Sequence, residues 1–367
     1  MHKLICFHLY NDFSGSPKVL KTVLTELLNK GYIIYLISSK GGILDKLSHP
    51  NLTRSNTYSY HFSNSHIKTI LKYISIQLYT FIISFRFLFC KDIVFYINTI
   101  LPIGPAIAGK LMHKKIVYHY HENSFIKGRF YKILTWWMQK LADEIICVST
   151  HQASYLNRKK NIAIIPNALP QDFINELKPN PTKAFREKTV LMLSSLKHYK
   201  GTDKFIQLAA GLPQFKFIIV INDNMKNIKE YLKNQSLDHI TRNLNNLTIY
   251  PQQSQIAKFY NSASLVLNLS DKKYFIETFG LTILEAMAAG LPVITPTVGG
   301  VAEMVENGVN GYKIDVENFE EITCKINNIL TNENLYIELA TNALSLSKHY
   351  KIETTIDMIS SCINKII

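Results

Sequence analysis

Short apolar runs alternate with longer amphipathic stretches along most of the chain. In the first half, Leu4–Tyr10, Tyr32–Ser38, Asp92–Asn98, Lys115–His121, Glu144–Ser149 and Ile162–Pro166 have the length and character of buried strands. Helical patterns lie between them: one running through Leu28 and stopped by Lys30-Gly31, one in LPIGPAIAGKLMHKK, one over Phe130–Leu141 and one from Thr150. The rhythm restarts with strands at Thr189–Ser195, Phe215–Ile221, Leu247–Pro251, Leu265–Ser270 and Pro292–Thr295. Strands separated by helix-length segments predict parallel sheets covered by helices, the α/β doubly wound class. Residues 41–64 read as irregular, 222–245 as a helix with loops, and the chain beyond Gly311-Tyr312 as helical. The Pro-bearing stretch Leu177–Lys188 reads as a linker, which divides the 367 residues into two Rossmann-like domains, 1–170 and 171–349.

The chemistry is densest in ETFGLTILEAMAAGLPVITPTVGGVAEMVENGVNG, Glu277 to Gly311. Leu281–Ala289 is rich in helix formers, and Gly290 and Pro292 end it. The Phe279-Gly280-Leu281 break leads into that helix, whose first N–H groups favour an anion such as phosphate. Glu277 precedes the helix and Glu285 lies inside it, so both border one cleft without forming one catalytic pair. A carboxylate accepts two hydrogen bonds and suits a pair of sugar or ribose hydroxyls. The plainer alternative is an amphipathic helix after a turn, with Glu285 solvated. Lys200-Gly201 opens another helix, where an ammonium is placed to neutralise a diphosphate. At the other end of the chain, the small-residue loop Asn11–Pro17 follows the first strand and carries Gly15 and Ser16. His119 and His121 are expected to face opposite sides of their strand. His121, Glu122 and Asn123 then occupy its exit, where ligand-contacting residues of open sheets gather.

The ordered match EtFGLtilEAMAaGlPVItptvGGvaEmVenGvnG resembles the signature of retaining nucleotide-sugar glycosyltransferases, glycosyltransferase family 4. The resemblance implies the GT-B fold, two Rossmann-like domains facing across a cleft, with the last helix (350–367) returning to the N-terminal domain. It implies that Glu285 holds the donor ribose hydroxyls, that Glu277 lies beside the donor sugar, and that the Phe279, Gly280, Leu281 and Thr282 backbone meets the diphosphate. Lys200 resembles the family's donor-phosphate Lys. The Arg common five residues earlier is Ser195 here, with Lys197 as its replacement. Tyr250 and Gln252 fall near the nucleotide base, against the alternative of an ordinary turn. Gly15 and Ser16 fall in the loop approaching the acceptor, and His121 lines the donor–acceptor cleft. Ile165-Pro166-Asn167 marks the crossing between domains. The implied chemistry is metal-independent transfer from a nucleotide diphosphate sugar, a UDP-sugar being favoured, with no cofactor.

Charge changes the picture on one side only. Residues 1–170 hold 21 Lys+Arg against 7 Asp+Glu, whereas 171–367 hold 20 of each, so the whole excess of +14 sits in the first half. Such a surface attracts an anionic partner or is merely a soluble basic face. Ile67–Cys90 is apolar and aromatic with Lys68, Lys72 and Arg86 along it, and reads equally as an interfacial helix or a core helix. Within it Ile70–Cys90, broken by Lys72, Gln77 and Arg86, is too interrupted for a span of about 18 apolar residues. Cys6, Cys90, Cys147, Cys324 and Cys362 show no paired spacing, which favours a reducing cytoplasm, and the polar turn after MHKLICFHLY does not read as a signal peptide. Together these features predict an anionic inner-membrane surface, a lipid-linked saccharide acceptor of surface-polysaccharide assembly, and a peripheral cytoplasmic location. The rivals are a degenerate partner subunit, a basic nucleic-acid binder, and a glycosidase using Glu277 and Glu285 about 5–10 Å apart. Dispersed charge without a compact motif speaks against nucleic acid.

Overall fold

The computed structural model of the chain describes residues 2–54, 57–61, 65–158 and 160–367. These form two compact units. The first comprises Met1–Ala168 together with Ile352–Ile367, and the second Leu169–Lys351.

The first unit alternates strands and helices: β1 (Lys3–His8), α1 (Gly15–Asn29), β2 (Ile33–Ser38), β3 (Leu52–Arg54), α2 (His66–Ser84), β4 (Ile93–Asn98), α3 (Ile103–Leu111), β5 (Lys115–Tyr120), α4 (Arg129–Leu141), β6 (Glu144–Cys147), α5 (Thr150–Ser154) and β7 (Ile162–Ile164). The strands pair in parallel in the order β3-β2-β1-β4-β5-β6-β7, seven among the described residues. Ile5 of β1 sits between Tyr35 and Phe95 on one face and Cys6 between Leu36 and Tyr96 on the other, so the centre of the sheet is apolar on both faces. Central parallel strands are buried on both sides, which is why they read as continuous apolar runs. α1 buries Val19, Leu20, Val23, Leu24, Leu27 and Leu28 at helical spacing.

The second unit contains α6 (Gln171–Glu176), α7 (Pro181–Glu187), β8 (Thr189–Ser194), α8 (Thr202–Gly211), β9 (Lys216–Ile221), α9 (Met225–Asn234), α10 (Asp238–Arg242), β10 (Leu247–Tyr250), α11 (Ala257–Tyr260), β11 (Leu265–Leu267), α12 (Leu281–Ala288), β12 (Val293–Thr295), α13 (Gly300–Glu303), β13 (Gly311–Lys313), α14 (Phe319–Thr331) and α15 (Glu333–Ser347). Its sheet is also parallel, β10-β9-β8-β11-β12-β13. α16 (Ile352–Ile366) belongs to the first unit again. There Lys365 bonds Glu144 at 3.2 Å, Thr355 donates to the Pro166 carbonyl at 3.2 Å, and Asp357 pairs with Lys30.

Two sequence expectations are corrected. The stretch 41–64 contains β3 and a 3₁₀ turn, Ile43–Lys46; its residues 55, 56 and 62–64 lie outside the described set. Leu177–Lys188 is no bare linker. Asn180 caps α7 by accepting the Lys183 N–H at 3.0 Å, and Pro181 takes the first helical position, where its missing N–H costs nothing. The unit boundary falls at Ala168, and the chain re-enters the first unit at Ile352.

Both sheets turn direction at a switch point, between β1 and β4 in one and between β8 and β11 in the other. Ligands of open α/β sheets bind outside the carboxyl ends of strands at such points. His121 lies by the first of these places, and Lys200, Glu277 and the start of α12 by the second.

Candidate functional site

In the second unit, β8 ends at Ser194 and the chain makes a 3₁₀ turn, His198–Lys200, before α8. Gly201 caps that helix at φ +74°, where a Cβ would strike the Leu269 carbonyl at the end of β11. Only glycine takes this conformation without strain and leaves room for the close approach. The turn therefore brings Lys200 against the loop leaving β11. Its ammonium pairs with the Glu277 carboxylate, whose same oxygen accepts the Ser270 hydroxyl at 3.1 Å. Lys200 also stands 4.5 Å from the centroid of Phe275, which stacks on Tyr199. Glu277 is held by its backbone as well. The Gly300 N–H donates to its carbonyl at 2.8 Å, and a Cβ on Gly299 would come 2.6 Å from that carbonyl oxygen. The Gly299-Gly300 turn thus fixes the Glu277 loop.

Gly280, at φ +104°, caps α12, and a Cβ there would lie 2.7 Å from Val301. The N–H groups of Leu281 and Thr282 stand in the first turn, where helix geometry provides no intrahelical acceptor. Glu285, one turn further, is buried and accepts the Tyr260 hydroxyl at 2.5 Å; that hydroxyl also contacts the Thr282 carbonyl at 3.3 Å. Burial and the Glu285 charge raise the Tyr260 hydroxyl well above its usual range, so it remains a donor. Next along α11, Phe259 packs edge-on against Tyr250 with centroids 5.0 Å apart. Tyr250 and Gln252 thus stand at the end of edge strand β10, with the Gln252 N–H donating to Asp223.

In the first unit, buried side chains meet at the ends of β1, β4 and β5. The Asn98 amide bridges His8 Nδ1 at 2.9 Å and His121 Nε2 at 3.0 Å, and Tyr96 bonds His119 Nδ1 at 2.7 Å. The expectation that His119 and His121 face opposite sides is corrected. Residues two apart share a face of a strand, and these rings lie 4.1 Å apart. Burial lowers His8 to about 4 and His119 to about 3. His121 is lowered well below its ordinary value by burial and by its two imidazole neighbours. All three are neutral at pH 7. Burial raises Glu122, opposed by Lys127 and by N–H donors including Ile100 at 3.3 Å.

The structure brings Lys200, Glu277 and the Gly280-led helix into one neighbourhood at the β8/β11 switch point, with the Tyr260–Glu285 pair on the same helix. Other candidates stand apart. Lys197 is exposed, and its N–H donates to the Ser195 carbonyl at 2.7 Å. Gly15 and Ser16 are corrected from loop to helix: they begin α1, while Ser14 stands at the N-cap position without a side-chain cap bond and donates its N–H to Asp12 Oδ1. Tyr260 and Ser270 carry no local sequence signal because they act on residues 25 and 7 positions away, and Gly300, legible only as part of a glycine turn, holds the Glu277 carbonyl 23 positions back. Among the described residues, no group of three or more His, Cys, Asp or Glu side chains is placed to hold a metal ion.

Comparison with known proteins supplies the class. The family model "Glycosyl transferases group 1" matches residues 173–345, and "Glycosyltransferase Family 4" matches 13–173. The chain belongs to the GT-B glycosyltransferases, and its two sheets are the two Rossmann-like domains of that fold. An uncharacterized glycosyltransferase of Haemophilus influenzae is 24% identical over 252 residues, spanning 66% of this chain and 68% of that protein. One from Methanocaldococcus jannaschii is 28% identical over 233 residues, spanning 62% of this chain and 60% of its own length. Among solved structures, Anabaena HepE in complex with UDP-glucose superposes with a TM-score of 0.79 at 19% identity, covering all of both chains. Sucrose-phosphate synthase of Thermosynechococcus elongatus gives 0.78 at 16%, covering 100% of this chain and 99% of its own.

Proposed function

We propose that this glycosyltransferase is a retaining, metal-independent enzyme that moves a sugar from a UDP-sugar to a hydroxyl of a lipid-linked saccharide. The acceptor belongs to surface-polysaccharide assembly at the inner face of the cytoplasmic membrane. The observation that carries the donor half is the convergence of Lys200, Glu277 and the glycine-led start of α12 at the β8/β11 switch point. Structures similar in fold bear UDP or UDP-sugars, including HepE with UDP-glucose, which supports UDP.

The barrier in such a transfer is charge separation. The sugar becomes oxocarbenium-like while the diphosphate departs. Lys200 and the Leu281 and Thr282 N–H groups stabilise the departing charge in a site that needs no reorganisation. The acceptor hydroxyl attacks on the face the diphosphate leaves, and a leaving phosphate oxygen takes its proton. Glu277 then positions the sugar, and Glu285, oriented by Tyr260, holds the ribose hydroxyls. Because fixed groups of the chain meet the diphosphate charge, turnover is expected to survive EDTA. Ser195, in place of the Arg common in the family, favours a second reading, a catalytically degenerate partner subunit.

The test is thermal stability against UDP-, GDP- and ADP-sugars, since a ligand that binds the folded state raises the melting temperature. A shift with UDP-sugar that Glu285→Ala abolishes supports the donor site. Failure of every nucleotide sugar overturns it, and a shift without turnover on any acceptor favours the degenerate reading.

A further inference from the structure

α2 is inside out. Its buried residues are Ile76, Gln77, Thr80 and Ser84, three of them polar. Apart from the Gln77 amide nitrogen, these polar groups are satisfied within the fold. Gln77 Oε1 accepts the Gly104 N–H at 2.9 Å, and the Thr80 and Ser84 hydroxyls donate to carbonyls one turn back at 2.7 and 2.6 Å. A Cβ on Gly104 would run into the Gln77 carbonyl, so α2 lies with its backbone close against α3. The opposite face carries Ile67, Ile70, Leu71, Ile74, Leu78 and Ile82 at helical spacing, with Ile67 72% and Ile82 65% exposed. Beyond the helix, Phe85 and Leu88 are exposed and Phe89 is 91% exposed. The expectation that the stretch is too interrupted for a span is corrected: by length and composition the helix is long and apolar enough to cross a membrane, and only 28% of that window is buried. This excludes the core-helix reading of the stretch.

The apolar face does not end with α2. Tyr73 of α2 packs edge-on against Phe130 of α4 with centroids 5.5 Å apart. α4 exposes Phe130, Ile133, Trp136 and Trp137, and the two indoles meet at 5.0 Å. A contiguous apolar surface of this kind marks a partner or membrane site rather than a face made for water.

The charges around it decide the partner. From Lys46 to Ala142 the chain has 13 Lys and Arg and two acidic residues, Asp92 and Glu122. Lys68, Lys72, Arg86, Lys91, Lys132 and Lys140 are exposed on or beside the apolar helices, and Lys140 lies over the Trp136 ring. Long basic side chains can rest their stems on apolar surface while their heads reach phosphate. Aromatic rings of this type favour the headgroup level. A second copy of the chain would oppose one all-basic rim to another. We infer that the joined exposed faces of α2 and α4, with the tip Phe85–Lys91, form the surface by which the first unit lies on an anionic phospholipid bilayer, α2 and α4 in the interface plane. This deepens the membrane half of the proposal above and rests on it; the donor half stands independently.

The chain carries its own reporter, because Trp136 and Trp137 are its only tryptophans. The experiment is vesicle binding of the full chain followed by tryptophan emission, on phosphatidylglycerol-containing and pure phosphatidylcholine vesicles with acyl-chain-brominated lipid. Binding to anionic vesicles with a blue shift and bromine quenching is expected. Ile74→Ser/Leu78→Ser lowers partitioning at least tenfold on anionic vesicles, and Lys68→Glu/Lys72→Glu does so while weakening residual binding to neutral ones much less. Both variants alter exposed side chains and keep the wild-type UDP-sugar thermal shift; a variant that loses it is misfolded and is replaced by Leu78→Ser alone. Binding without quenching, absence of binding, or self-association relieved by Ile74→Ser/Leu78→Ser overturns the inference. A donor shift retained in any of those cases leaves the donor half standing.

Discussion

Lys200→Met keeps much of the side-chain bulk and removes the charge. In the free protein the ammonium pairs with Glu277, at side-chain exposures of 22% and 16%, and stands over Phe275. An exposed pair contributes about 0–1 kcal/mol, and breaking a buried one costs about 3–5 kcal/mol. This pair lies between, so roughly 2 kcal/mol of stability is lost, with Glu277 left to Ser270 alone. In a unit of this size that corresponds to about 4–8 °C in melting temperature. The kinetic effect is larger, because the ammonium meets charge that develops only as the diphosphate leaves. Loss of one such preorganised group costs about 10²–10³ in kcat. Glu277→Gln distinguishes the two roles. It releases Lys200 from its ion pair, so UDP binds about three- to tenfold tighter while transfer slows, whereas Lys200→Met weakens UDP. UDP titration by calorimetry and kcat from donor turnover read both effects. Variants that shift UDP affinity in the same direction, or a Lys200→Met kcat within threefold of wild type, refute the reasoning.

Tyr260→Phe removes a buried hydrogen bond to the Glu285 carboxylate, and bonds to charged groups are worth about 1.5–3 kcal/mol; UDP affinity is expected to fall about tenfold, and calorimetry showing unchanged affinity would mean that Glu285 needs no orienting donor. Burial lowers His8 to about 4 and His119 to about 3, so between those values and the ordinary 6.5 the unfolded chain binds more protons than the fold, and stability is complete above about pH 6.5 and lost as the pH falls toward 4. Glu122 acts oppositely, since its raised carboxyl takes a proton in the fold first, contributing stability that is lost as pH rises through its folded value; the two histidine shifts together amount to roughly 4 kcal/mol at pH 5, and a first-unit melting temperature as high at pH 5 as at pH 7.5 contradicts the assignment.

The alternation of strand and helix was legible because central parallel strands are apolar on both faces, and β1, β4 and β5 announce themselves as unbroken runs. The edges were not. β3 is LTR, with no residue buried, and β13 is GYK directly after a glycine turn. Neither carries enough apolar length to rise above its flanks. Within the site, the Gly280-led helix is a local device and readable as such. The Tyr260–Glu285 bond, the Ser270–Glu277 bond and the Gly300 grip on Glu277 exist only once β8, β11 and β12 lie side by side. His119 in β5 and His121 just past its end share a face through the strand period itself. For α2, apolar content alone left core and interface equally open, and the difference lies in which face α3 covers.

The return of α16 has a consequence for synthesis. The second unit is one continuous segment, Leu169–Lys351, whereas the first lacks a helix until residues 352–366 emerge. That helix buries Ile352, Thr355, Ile356, Ile359 and Ile363. Domains usually complete in the order in which they are made. Here the order inverts: the middle of the chain can finish while the beginning still waits, its flank uncovered, for the end.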